Sequence, residues 1–175
     1  LVIPFKDESG KIVFYQTRRI FGWDDKPNYL SKPLTDKTLY GIDKIYPNRD
    51  EIFLFEGPID SFFVKNGIGV AGINTGHLKL TVTQQKQMDL LRLYKKIWVL
   101  DSQWLDKTSR EKTLSLLEDG ETVFIWPKRF GIKYKDFNEM CVDKELDEIS
   151  SVFIKDNSTH GVSAVLKFKM MFGKL

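Results

Sequence analysis

One cysteine, Cys141, stands among the 175 residues, so the chain has no partner with which to close an internal disulfide. Paired cysteines at zinc-finger spacing are absent as well. No apolar run approaches the length a membrane-spanning helix needs. No charged-then-apolar leader of a secretory signal is visible. There is no internal repeat and no low-complexity tract. These absences exclude a disulfide scaffold, a zinc module and a membrane-spanning class. The expectation is a cytoplasmic protein with no membrane partner. The sequence opens at Leu1, inside what already reads as a strand, as an excised domain would. Charge of one sign is also scarce: 27 Lys and Arg against 24 Asp and Glu leave a net charge of only +3.

Apolar residues, by contrast, make up 42% of the chain, enough for a real core and against disorder. The charge is unevenly placed. Residues 1–50 carry 9 basic and 7 acidic side chains, residues 51–150 carry 14 and 16, and residues 151–175 carry 4 and 1. Chance places charges this way fairly often, and so does an acidic metal site flanked by basic phosphate-contacting segments.

Two regimes follow one another. Residues 1–50 read as a small, mixed and β-rich subdomain. Leu1–Phe5 and Lys11–Thr17 form a hairpin around Asp7-Glu8-Ser9-Gly10, and Pro27, Pro33 and Pro47 break any long element after it. Residues 51–140 alternate strand and helix. Strands are expected at Ile52–Phe55, Gly67–Ile73, Lys96–Leu100 and Thr122–Trp126. A helix opens at Pro58 and runs to about Asn66. A second is announced by the capping-box spacing of Thr81 and Gln84. A third has the same spacing at Thr108 and Glu111 and closes at Gly120. This order predicts an α/β fold, a parallel sheet of about four strands with helices on both faces. Residues 141–175 read as a helical extension, with a short helix at Asp143–Ile149 and a final one at Val162–Phe172.

Ligands of an open parallel sheet bind beyond the carboxyl ends of its strands. Three of those ends carry an acid: Glu56 after the first, Asp101 after the third, and Asp136 in the loop after the fourth. Carboxylates gathered there would repel one another and raise each other's pKa, and a divalent cation relieves the repulsion. Plainer roles exist for their neighbours. Asp60 falls in a first helical turn, where the macrodipole alone favours an acid. Asp106 reads equally as a cap, and Glu139 as a solvated acid. Response-regulator and phosphatase-like folds also carry strand-end aspartates, so the pattern does not choose a reaction.

Phe55-Glu56-Gly57-Pro58-Ile59-Asp60-Ser61 resembles the first signature of Toprim domains. Gly72-Ile73-Asn74-Thr75-Gly76 resembles their second-strand stretch, and Asp101-Ser102-Gln103 stands where the family has Asp-x-Asp. Outside that region, Leu1-Val2-Ile3-Pro4-Phe5 with Ser9-Gly10-Lys11-Ile12 and Arg18-Arg19-Ile20 is similar to the stretch that precedes Toprim in bacterial-type DNA primases. Lys26-Pro27-Asn28-Tyr29-Leu30, Leu39-Tyr40-Gly41 and Lys135-Asp136-Phe137-Asn138-Glu139 resemble further segments of that family. The compact form is similar to phage-encoded members.

The resemblance implies a Toprim-like catalytic core that makes short RNA primers on single-stranded DNA. Ribonucleoside triphosphates would be its substrates, Mg²⁺ or Mn²⁺ its cofactor, and a replicative helicase its partner, in a bacterial or phage-infected cytoplasm. It implies Glu56, Asp101 and Asp136 as catalytic acids and metal ligands, with Glu56 alternatively an acid or base in the transfer. Gln103 and Asn138 would be ligands that replace two family acids, and Asp60 and Asp106 supporting acids. Arg18, Arg19, Lys26 and Lys32 would contact template or nucleotide phosphates, although each also reads as ordinary surface. A zinc module for template recognition would have to lie upstream. Two other readings remain open: a Toprim nuclease using the same acids, and a degenerate Toprim domain that only binds nucleic acid or a helicase.

Overall fold

A computed structural model describes residues 1–20, 29–70 and 80–173. Its first unit is an antiparallel sheet of β1 (Val2–Lys6), β2 (Ile12–Arg18) and β3 (Tyr29–Ser31), in that order. The β1–β2 turn is built by Asp7, whose carboxylate accepts from the Ser9 and Lys11 amides, both at 3.0 Å, while Gly10 takes a φ of 84°. One face of this sheet buries Ile3, Phe5 and Phe14, which pack on Tyr29, Tyr40 and Ile59.

The larger unit is a five-stranded sheet. It contains β4 (Glu51–Phe55), β5 (Gly67–Gly69), β6 (Lys95–Val99), β7 (Thr122–Phe124) and β8 (Ser158–Thr159), in the order β5-β4-β6-β7-β8. The first four are parallel and β8 runs antiparallel at the edge. The helices are α1 (Pro58–Ser61), α2 (Val82–Leu90), α3 (Lys107–Glu118), α4 (Lys128–Gly131), α5 (Phe137–Lys144), α6 (Ser151–Asp156) and α7 (Val162–Phe172).

Strands buried on both faces read as continuous apolar runs, and the period of two divides them between two cores. Ile52 and Leu54 of β4, with Trp98 and Leu100, pack against Met88, Leu116, Leu117, Ala164 and Phe168 from α2, α3 and α7. Phe53 and Phe55, with Ile97 and Val99, pack on the opposite face against Val64, Phe137, Met140, Cys141 and Ile154. The Cys141 thiol is buried there, and burial pushes its pKa up to about 11.

Several elements differ from the sequence expectation. The first helix is one turn long, and residues 62–66 continue as turns that end at Asn66, with φ 59°. Helix α3 begins earlier than the Thr108–Glu111 spacing implied, because the Asp106 carboxylate accepts from the Thr108 amide and caps it. No helix spans Asp143–Ile149: α5 ends at Lys144 and Glu145 turns left-handed at φ 52°. The edge strand β8 was not foreseen, since two polar residues give no alternation to read. The capping box of Thr81 and Gln84 is present, and α7 has its expected bounds. The expected strand over Gly67–Ile73 is described as far as Gly69, and Gly72–Gly76 lies outside the described residues.

Candidate active site

The outgoing connection of β4 runs to β5 on one side, and that of β6 runs to β7 on the other. The carboxyl ends of β4 and β6 therefore flank the crevice where this class of sheet binds ligands. Glu56 follows β4 directly, and Asp101 stands two residues past β6. Gly69 lets β5 approach closely, because a Cβ there would come within 2.7 Å of the Pro58 Cα. That contact seats the first turn of α1, from which Asp60 faces the crevice.

The loop after β6 is fixed residue by residue. The Ser102 amide donates to the Lys135 carbonyl at 2.7 Å and its hydroxyl to the Gly131 carbonyl at 2.7 Å. These bonds draw the Asp101 and Asp136 loops together. The Ser109 hydroxyl donates to the Asp101 carbonyl and ties α3 to the same point. Asp136 is the N-cap of α5, its carboxylate accepting from the Glu139 amide at 2.7 Å.

Carboxylate oxygens of Asp60, Asp101 and Asp136 all lie within 4.8 Å of one another. Burial, reinforced by Asp136, pushes the pKa of Asp60 up to about 7, although the Asn138 amide donates to it at 2.9 Å. Burial, then repulsion from Glu56, pushes Asp101 up to about 6, against the pull of Lys135 at 3.5 Å. The pair with Asp101 in turn raises Lys135. Three hard oxygen donors with no soft ligand among them suit a hard divalent cation. A cation would offset both the burial and the repulsion that raise these values.

The acids form one wall of a cleft of about 430 Å³. Gln16, Arg18, Tyr29 and Ser31 of the small sheet line it, with Lys37 and Lys135. The Arg18 guanidinium donates to the Tyr29 hydroxyl at 2.6 Å and lies 5.2 Å from the centre of its ring. The cleft thus combines carboxylates with cations, Arg18 from the small sheet and Lys135 beside Asp101 itself.

No protein-family model matches the chain. Over 172 residues it is 30% identical to the DNA primase of Enterobacteria phage T4, an alignment covering 95% of this chain and 46% of that protein. The chain therefore spans less than half the length of this relative. Among solved structures it is similar to a DNA primase domain from Pseudomonas aeruginosa, with a TM-score of 0.65 and 21% identity over 97% of this chain and 55% of that one. The Aquifex aeolicus primase, comprising zinc-binding and RNA polymerase domains, gives 0.63 and 22% over 97% and 43%. The DnaG primase catalytic domain bound to single-stranded DNA gives 0.59 and 18% over 97% and 56%. This is the fold of a primase catalytic core.

Within this cleft, the expected acids separate. Asp101 and Asp136 come together, and Asp60 joins them rather than Glu56. Glu56 lines the same cleft, but its carboxylate meets the Lys112 ammonium of α3 at 2.5 Å. Asp106 serves as the α3 cap. Gln103, expected as a ligand, is corrected by its surroundings. It is fully buried, its amide nitrogen donates to Thr113 Oγ1 and the Phe124 carbonyl, and its oxygen accepts from the Trp126 amide, all at 3.1 Å. Every polar atom of that side chain is engaged in joining the β6 loop to α3 and β7. Asn138 meets the site through its backbone amide.

Of the expected cations, Arg18 lines the cleft and Arg19 directly follows β2. Lys32 follows β3 and donates its amide to the Tyr15 carbonyl at 3.1 Å, and Lys26 lies outside the described residues. Sequence reasoning gave no role to Tyr29, Lys37, Lys112 or Lys135. Lys135 could have been found, since it directly precedes Asp136 in the loop that enters α5. Lys112 carries no local signal, because its partner lies 56 positions away.

Proposed function

We propose that this chain is the catalytic core of a DNA primase, joining ribonucleotides into primers on a single-stranded DNA template. The observation that carries this reading is the convergence of Asp60, Asp101 and Asp136 within 4.8 Å at the crevice of a primase-core fold. The T4 relative is a DNA primase, and a DnaG neighbour of the same fold binds single-stranded DNA. Asp60, Asp101 and Asp136 would hold Mg²⁺ or Mn²⁺. A bound ion supplies neutralisation of phosphate charge and acidifies an attacking hydroxyl.

The protein's own groups do the positioning. Arg18 and Lys37 line the cleft with the acids, Lys135 stands beside Asp101, and all three are available to phosphate oxygens. Arg19, Lys26 and Lys32 are assigned to the approaching template, and the aromatic face of Tyr29 suits stacking on a base. Because phosphoryl transfer depends on positioning and charge, misplacing one of these groups should cost rate more than fold. A replicative helicase is the assigned partner, and the cytoplasm of a bacterial or phage-infected cell the setting.

Incubation with single-stranded DNA, ribonucleoside triphosphates and Mg²⁺ or Mn²⁺ tests the assignment. Primers of a few nucleotides are expected, and they should vanish in Asp101→Asn. Cleavage of the DNA, or binding with no product, would overturn the primase reading.

A further inference from the structure

Lys112 lies on α3, a helix strapped to the β6 loop at two points. The Ser109 hydroxyl holds the Asp101 carbonyl, and the Gln103 amide holds Thr113. Lys112 falls between those anchors and is carried to the edge of the acid cluster with little freedom to move. Its side chain is 14% exposed and that of Glu56 24%, and the two meet at 2.5 Å.

Among the described residues, four carboxylates line the cleft, Glu56, Asp60, Asp101 and Asp136. Asp60, Asp101 and Asp136 share one small space. A two-ion site needs a second cation about 4 Å from the first, held by a bridging carboxylate and further acids. The fourth acid that could hold it is Glu56, and an ammonium already sits on that carboxylate. Gln103 cannot contribute, because its amide is consumed inside the protein.

We infer that Lys112 is a positioning residue that occupies Glu56 and so limits the site to one tightly held divalent ion, its positive charge taking up the carboxylate that a second ion would need. This rests on the reading that the aspartate cluster binds a divalent cation. The ammonium differs from an ion in offering no open coordination position, so it orients Glu56 and balances its charge without binding substrate oxygen directly.

Mn²⁺ titration, followed by the electron paramagnetic resonance signal of the free ion, counts tight sites without reference to activity. The wild-type chain should bind one ion. Lys112→Met keeps length and removes charge, and it should bind two. Glu56→Gln should still bind one, with affinity changed less than about two-fold. A merely structural lysine would leave the count at one in Lys112→Met, and that result overturns the inference. Two tight ions in the wild type, or a ten-fold loss of affinity in Glu56→Gln, overturns it as well. If Lys112→Met does not fold, Lys112→Gln carries the same test, with two ions expected and a count of one overturning the inference. No tight ion in the wild type would overturn the cation-site reading itself, and this inference with it.

Discussion

At the scale of single residues, the site is built from groups held against their own preference. Asp60 illustrates it. Its pKa rises from 3.8 to about 7 on folding, so between those values the folded chain binds more protons than the unfolded one. Stability of the ion-free protein should therefore fall as pH climbs from about 4 to 7 and level off above. Asp60→Asn removes the penalty while keeping an oxygen for the Asn138 amide. At pH 8 without divalent ions it should melt about 5 °C higher than wild type by calorimetry. It should also lose the stabilisation that Mg²⁺ gives the wild type. A lower melting temperature would show that the carboxylate is not strained.

Gln103 shows the opposite case, a polar side chain at ease. Its substitution by aspartate would shorten the side chain, abandon the Trp126 amide and bury an unpaired charge. Gln103→Asp should cost about 3 kcal/mol or more in urea unfolding. It should leave the metal requirement of any folded fraction unchanged. Sequence alone equated Gln103 with a site acid, because motif spacing locates a residue along the chain but does not say towards which side it points.

At the scale of elements, helix α2 carries an unusual load. Its capping box is Thr81 with Gln84. The Thr81 hydroxyl also donates to the Lys37 carbonyl at 2.7 Å, Gln84 donates to the Val70 carbonyl at 2.7 Å, and Gln87 accepts from the Leu39 amide at 2.8 Å. These bonds lash the segment carrying Lys37 to the main sheet. Thr81→Ala should cost about 1–2 kcal/mol, the loss of a cap plus a tertiary bond. It should also weaken nucleotide binding, a pairing that titration with a labelled nucleotide would detect. Unchanged binding would separate Lys37 from the cleft's ligand.

The same elements explain what could be read beforehand. β4 and β6 were legible because both faces are buried, giving Phe-Leu-Phe and Ile-Trp-Val runs that end in acids. α7 was legible from its apolar spacing. α2 was located by its cap, but its interior is glutamine, so periodicity carried no information about what it buries. The expected helix at Asp143–Ile149 misses α5, because Asp136, a candidate ligand by its motif, is also the N-cap that starts a helix at Phe137. The separate roles of Glu56 and Asp60, four residues apart, depend on Lys112 from a distant helix, which no local window contains.

At the scale of the whole molecule, the cleft is an electrostatic boundary. The small sheet brings Arg18, and the larger unit brings the aspartates. Affinity for single-stranded DNA should fall steeply with salt, as phosphate contacts release counterions. Arg18→Ala should weaken binding to all sequences alike and flatten the dependence of log K on log salt by about 0.7. Fluorescence anisotropy over a salt series reads both, and an unchanged slope would remove Arg18 from the phosphate path. Assembling the wall requires both sheets to dock, and Tyr40 is the joint. Its backbone pairs with Gly69 at 2.8 and 3.1 Å, and its ring packs edge-on against Phe5, 5.3 Å between centres.

Cys141 sits far down in one of the two cores, its thiol buried and held protonated at neutral pH. Towards a maleimide or a methanethiosulfonate in solution, the folded protein should behave as though it had no cysteine at all. A pair of cysteines placed at Ser9, on the hairpin tip, and Ser115, on α3, would therefore take spin labels without first stripping the background. Dipolar spectroscopy between them would report the opening of the cleft directly, with and without DNA, in a chain whose own sulfur stays silent.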